Sequence, residues 1–201
     1  MLTEREIQLR LAQALDPQAE AECPYPADYF EQPPQPAAVL IPMIAQPDGW
    51  HLVLIRRSLQ DQDRHSGQVA FPGGRCEAGD QNAEQAALRE AQEEINLQPA
   101  DARVLGRLKC FRTITNYLVT PFVATMPWPY PLRPQPSEVA RIFSIPLGWL
   151  ADRGNHQIRH RAIQLQSSPL PVIFFDDYDG EVLWGASARI TMMFVEALGL
   201  A

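Results

Sequence analysis

A chain of 201 residues, 46% hydrophobic and 20% charged, suits one soluble globular domain with a sizeable core and some embellishment. A formal net charge of -7 argues against non-specific partnership with nucleic acid or an anionic membrane, and any phosphate-ester ligand would have to be met by metal ions and a few arginines. Cys23, Cys76 and Cys110 are odd in number and contain no C-x-x-C pair, which excludes a disulfide framework or a zinc site and fits a reducing cytosol.

The opening M-L-T-E-R-E-I-Q lacks a basic leader and an apolar core, and the longest apolar run, residues 37–45, falls far short of the roughly 20 residues of a membrane span. A soluble, cytoplasmic protein is expected. Thr3 and Glu6 stand at capping-box spacing before Ile7, Leu11, Ala14 and Leu15, so the chain should begin with a short amphipathic helix packed on the main domain. Residues 16–36 are rich in Pro, Gln, Glu and Ala and read as a connector. The division expected is residues 1–36 as helix and connector, and residues 37–201 as the domain proper.

Residues 37–45 and 50–56 read as strands joined by the turn Gln46-Pro47-Asp48-Gly49. Residues 57–67 form a polar loop carrying Arg57, Ser58, Arg64 and His65; with Arg75 these offer donors and positive charge suited to phosphate oxygens, although Asp61 and Asp63 could pair with them instead. An apolar strand over 68–71 leads through Pro72 into Gly73 and Gly74, a loop whose backbone can approach a ligand closely.

A helix follows. Ala83, Ala87, Ala91 and Ile95 recur every fourth residue with Leu88 beside them, and Asn82 and Gln85 hold capping-box positions. On the side expected to face away from that apolar stripe, Glu90, Glu93 and Glu94 are related by i+3 and i+4, so their carboxylates crowd one patch with only Arg89 as a basic neighbour in the helix. Such crowding is explained by a divalent cation, and an all-oxygen site suits Mg2+ or Mn2+.

Beyond the helix, residues 102–111 and 118–126 read as strands around a bend at 113–117, with Pro121 limiting how the second can pair. The proline-rich stretch 127–136, with Trp128 and Tyr130, is a rigid connector or a wall of a nucleotide pocket. A strand is expected over 137–145, opened by Glu138, then a helical turn at 146–151 and strands at 156–166, 172–175 and 182–184, with residues 177–180 turning the chain. A final helix, capped by Ser187 and ended by Gly199, presents Ile190, Met193, Phe194 and Ala197 to the opposite side of the sheet.

From Gly74 to Leu97 the pattern G-x5-D-x8-R-E-A-Q-E-E-I-N-L resembles the Nudix box, G-x5-E-x7-R-E-U-x-E-E-x-G-U with U apolar; Asp80 replaces a Glu, one residue is added before Arg89, and Asn96 replaces a Gly. Upstream, L-V-L-I-R-R-S followed by H-S-G-Q-V-A-F-P-G-G resembles the signature of the coenzyme A diphosphatase subfamily, as does W-G-A-S-A-R near the end. The resemblance implies an α/β fold, the Nudix-type α/β/α sandwich around a mixed β-sheet, and hydrolysis of coenzyme A or its thioesters to 3′,5′-ADP and a 4′-phosphopantetheine.

By match to the box, Glu90 and Glu94 would be metal ligands, Glu93 a ligand or the base, and Gly74 a ligand through its carbonyl. Arg89 would hold Glu90 and be braced in turn by Asp80; Glu138 is a candidate base or ligand from outside the box, and Arg57, Arg64, His65 and Arg75 candidate substrate contacts. Two other readings stay open: a Nudix enzyme acting on ADP-ribose, a dinucleoside polyphosphate or a damaged nucleotide, and a silent nucleotide-binding module. The partner expected is a small nucleotide, with a homodimer left open.

Overall fold

The computed structural model describes residues 1–16, 21–26, 29–59, 66–161 and 169–201. Helix α1 (Glu4–Ala14) starts in a complete capping box between Thr3 and Glu6 and buries Ile7 and Leu11. Strands β1 (Gln35–Gln46) and β2 (Gly49–Arg57) form the antiparallel hairpin that the turn residues predict. The two short strands β3 (Val69–Ala70) and β4 (Gly73–Arg75) follow, so the glycine pair lies in a strand laid against β1 and not in the loop expected there. Helix α2 (Ala83–Ile95) comes next.

The strand expected over 102–111 is broken into β5 (Arg103–Arg107) and β6 (Phe111–Arg112), both antiparallel to β7 (Tyr117–Thr125). Pro121 of β7 explains the gap. Its carbonyl accepts the Leu108 N–H at 2.9 Å on the side of β5 and β6, and its nitrogen, on that same side, has no hydrogen to give the opposing chain. On its other side β7 runs parallel to β1 through nine paired positions, from Gln35–Tyr117 to Met43–Thr125.

Strand β8 (Val139–Pro146) lies along β2 and leads into the short helix α3 (Leu147–Ala151). It starts at Val139, one residue after Glu138, because the peptides before it are used in a turn: Gln135 O accepts from both Glu138 N and Val139 N. Strands β9 (His156–Arg161), β10 (Leu170–Tyr178) and β11 (Glu181–Trp184) form a separate three-stranded sheet in the order β11-β10-β9. Residues 162–166 of the expected strand lie outside the described residues. The turn narrows to Asp179 and Gly180, both at positive φ as a two-residue hairpin requires, so Asp177 and Tyr178 stay in β10. Helix α4 (Gly185–Ala197) begins directly from Trp184; Ser187 lies inside it, its carbonyl accepting the Thr191 hydroxyl at 2.9 Å.

The fold is an α/β/α sandwich around a mixed sheet. Along β1, Ala37, Ile41 and Met43 enter one core and Ala38, Leu40 and Ile44 the other, and β2 continues the alternation with Leu52 and Leu54 against Val53 and Ile55. A strand buried on both faces reads as a continuous apolar run, which is why residues 37–45 look unpatterned in the sequence. Helix α2 covers the second face through Ala86, Ala87, Ala91 and Ile95; α1 and α4 cover the first, where Arg10 donates to the Leu198 carbonyl at the end of α4. Among the described residues no helix is long and apolar enough to cross a membrane.

Candidate active site

Helix α2 is placed by its ends. Asn82 accepts the Gln85 N–H at 2.9 Å while the Gln85 side chain accepts the Gln81 N–H at 2.7 Å, a capping box shifted by one residue on its return bond. Asn96 closes the helix in the left-handed conformation, φ 59° and ψ 28°, the geometry that the usual glycine would supply. Carbonyls orphaned at that end are taken up by the proline-rich loop, Gln135 N to Glu94 O at 2.9 Å and Arg133 N to Ile95 O at 3.1 Å. Both readings of that loop in the sequence left out this tie to the helix.

The three box glutamates do not share one exposed patch. Glu94 is 1% exposed and therefore belongs to the buried face, not the side opposite the apolar stripe. The helical period explains it: Ala86, Glu90 and Glu94 form one row at successive i+4 steps beside Ala87 and Ala91. Glu90 is half-buried, whereas the Glu93 side chain is 58% exposed. Arg89 ties the group together, donating to Glu90 at 3.1 Å and to Glu93 at 3.0 Å. It also forms a two-pronged bond to Asp80 at 3.0 and 3.1 Å and reaches the Arg75 carbonyl at 3.1 Å. Asp80 thus meets Arg89 despite its shorter side chain and the added residue, and its other support is the Glu77 N–H at 2.8 Å.

Beneath the helix, β4 brings backbone to the carboxylates. A Cβ on Gly74 would stand 2.5 Å from the Glu90 carboxylate, which would have to move aside for any larger residue there. Gly73 has φ 156°, and a Cβ there would strike β1, 2.6 Å from the Val39 Cα. Gly74 pairs with Ala38 midway between the Leu40–Pro72 and Pro36–Cys76 hydrogen bonds, so its own N–H and C=O turn into β1. The outward peptide groups belong to Gly73, whose N–H donates to Glu94 Oε2 at 3.0 Å. The backbone ligand expected at Gly74 is therefore better offered by Gly73, a distinction that depends on strand register and has no signal in the motif.

The basic residues divide. Arg57, at the end of β2, lies 3.7 Å from Glu94 Oε1. Arg75 follows Gly74 on β4 and so points to the other face of the sheet, where it donates to the Tyr117 hydroxyl at 2.7 Å and lies over that ring. It is not brought together with the carboxylates. Arg64 and His65 fall outside the described residues. Glu138 is exposed in the turn before β8, its carbonyl accepting the Ser58 N–H at 2.8 Å, and its charge acts on both Glu90 and Glu94.

Burial pushes the Glu94 carboxyl up to about 8, against the Gly73 N–H and Arg57, which lower it; Glu90 and Glu138 raise it further. Burial also raises Glu90, with Arg89 opposing. Among the described residues no three acidic, His or Cys side chains converge into a finished metal cage. What is assembled is a partial oxygen set, Glu90 and Glu94 on one row with outward glycine backbone beside them. That suits a hard cation which keeps several waters and takes substrate oxygens as its remaining ligands.

The NUDIX domain family model matches residues 34–165 of this chain. A relative from Photorhabdus laumondii, described as an uncharacterized Nudix hydrolase NudL, is 37% identical over 154 residues, 77% of this chain and 80% of its own. Its namesake from Yersinia pestis strain Pestoides F is 33% identical over 163 residues, 81% of this chain and 79% of its own. Among solved structures, a MutT/nudix family protein from Enterococcus faecalis is similar with a TM-score of 0.55 at 14% identity, covering 99% of this chain and 75% of its own. The Nudix hydrolase RenU from M. smegmatis has a TM-score of 0.50 at 23% identity, covering 60% and 76%. The structural likenesses speak for the fold; the domain match and the sequence relatives carry the family, and this chain belongs to the Nudix hydrolases.

Proposed function

We propose that the protein is a metal-dependent pyrophosphohydrolase that cleaves the diphosphate of coenzyme A or its thioesters to 3′,5′-ADP and a 4′-phosphopantetheine. The observation that carries the hydrolytic part is the buried Glu94 beside Glu90 and the Gly73 peptide, acidic groups whose burial the protein only partly offsets. The substrate part is supported by the segments L-V-L-I-R-R-S and H-S-G-Q-V-A-F-P-G-G.

Glu90, Glu94 and the Gly73 carbonyl would hold Mg2+ or Mn2+, which, when bound, neutralises charge on the diphosphate and acidifies water. Arg89, anchored by Asp80, keeps Glu90 and Glu93 in register along the helix. A base must accept the proton of the attacking water. Glu93 is committed to Arg89 at 3.0 Å, which favours Glu138, whose charge already reaches Glu90 and Glu94 from the neighbouring turn. Cys23, Cys76 and Cys110 are all free, in keeping with work in the cytoplasm.

The test is a panel of coenzyme A, acetyl-coenzyme A, ADP-ribose and dinucleoside polyphosphates with Mg2+ or Mn2+, the products identified by mass spectrometry. Coenzyme A or its thioester should show the highest kcat/KM and release 3′,5′-ADP, and a chelator should abolish turnover. A tenfold or greater preference for another diphosphate would move the protein to a different substrate class, and no metal-dependent turnover at all would remove the hydrolytic reading.

A further inference from the structure

The first segment of the upstream signature ends in Arg57 and Ser58, and both make contacts that a substrate-reading role does not require. Arg57 approaches Glu94 Oε1 at 3.7 Å while Gly73 N–H donates to Oε2 at 3.0 Å, so the buried carboxylate meets a hydrogen bond from β4 at one oxygen and a looser ion-pair contact from β2 at the other. Its backbone is fixed as well, through Gln135 N to Glu94 O at 2.9 Å. Ser58 acts on the neighbouring turn: its N–H donates to Glu138 O at 2.8 Å and its hydroxyl to Pro136 O at 2.9 Å. The alternation of β2, with Leu52 and Leu54 on one face and Val53 and Ile55 on the other, carries on through its last two residues. Arg56 goes to Glu181 on one face of the sheet and Arg57 to Glu94 on the other.

We infer that the Arg57–Ser58 pair is a positioning device that sets Glu94 and Glu138 against each other across the site, and that it does not read the substrate. Arg57 fixes the orientation of the Glu94 carboxylate, and Ser58 fixes the turn that presents Glu138. The inference rests on the metal-binding role given to Glu94 above and is independent of which diphosphate is cleaved.

The sign of the effect on metal binding distinguishes the roles. A bare positive charge near the site would oppose a cation, so its removal would tighten binding; loss of a residue that orients a ligand weakens binding, by about tenfold or more. Mn2+ binding to the substrate-free full chain, followed by electron paramagnetic resonance, should weaken by that factor in Arg57→Met and recover most of its strength in Arg57→Lys. With the diphosphate turned over fastest and metal saturating, kcat in Arg57→Met should fall while KM stays within about twofold. Ser58→Ala should lower kcat with KM and Mn2+ binding unchanged. Far-UV circular dichroism checks that each variant is folded, and Arg57→Lys keeps the test open if Arg57→Met is not.

Equal or tighter Mn2+ binding in Arg57→Met, or a rise in KM with binding unchanged, overturns the positioning role and returns Arg57 to the substrate. Wild-type kinetics in Ser58→Ala overturn the Ser58 half. Failure of the wild type to bind Mn2+, or undiminished binding in Glu94→Gln, overturns the metal role of Glu94 and this inference with it, so the two failures are told apart.

Discussion

Two glutamates lie buried on opposite sides of the same strand, and their surroundings differ. Glu181, 3% exposed, receives two guanidinium groups on one oxygen, Arg56 at 3.1 Å and Arg141 at 3.0 Å, and joins the small sheet to the main one. Glu94, 1% exposed, receives among the described residues one backbone N–H at 3.0 Å and one guanidinium at 3.7 Å. A buried charge is tolerated when it is paired and hydrogen-bonded, and becomes costly as pairing thins. The first acid is a structural fastening; the second is less fully paired among the described residues, in keeping with the cation proposed for it. Adjacent arginines, Arg56 and Arg57, serve the two acids from opposite faces of β2.

The sharpest break in that comparison should come from neutralising each acid in turn. Glu94→Gln and Glu90→Gln should each lower kcat about a hundredfold or more, the cost of one lost transition-state-stabilising group, with the melting temperature of Glu94→Gln equal to or above wild type. Wild-type turnover in either variant would withdraw it from the chemistry. Glu181→Gln should do the reverse, costing roughly 1 to 3 kcal/mol in chemical denaturation while the folded protein keeps kcat within about twofold. A large loss of kcat without loss of stability would erase the distinction.

Asp80 sharpens the comparison through pH. The Arg89 fork, and then the Glu77 N–H, hold its carboxyl below the usual carboxylate range. A carboxyl whose folded value is depressed contributes stability above its unfolded value of about 3.9 and loses it as pH falls through the lower folded value. Asp80→Asn should therefore be less stable than wild type by roughly 1 to 3 kcal/mol at neutral pH, the gap closing as pH falls past the unfolded value and through the lower folded one. A gap that persists in acid would mean that packing, not charge, links Asp80 to Arg89. The smallest effect is expected at Arg75: because its side chain lies on the far face with Tyr117, Arg75→Ala should leave kcat/KM within about twofold. A tenfold fall would return it to the substrate.

Much of the fold was legible because its signals are local. Thr3 with Glu6, Asn82 with Gln85, Asn96 as a helix end and the hairpin turn before Gly49 each satisfy backbone groups within a few residues, and each is found in place. The break between β5 and β6 is half-legible, since Pro121 stands in the sequence but the strand opposite it does not. The start of α4 is not legible, because Ser187 is a good capping residue in isolation, whereas β11 delivers the chain straight into the helix at Trp184.

By itself the sequence determined that a capped, acid-rich helix follows a glycine pair, because helical period and caps depend only on neighbours along the chain. Only the tertiary structure decided that Glu94 is buried while Glu93 is not, that Gly73 and not Gly74 turns its peptide outward, and that Arg57 and Arg75 part to opposite faces. The glycine and arginine outcomes turn on which strand lies beside which and in what register, where a shift of one residue would reverse them, and the burial of Glu94 turns on which face of α2 is laid against the sheet.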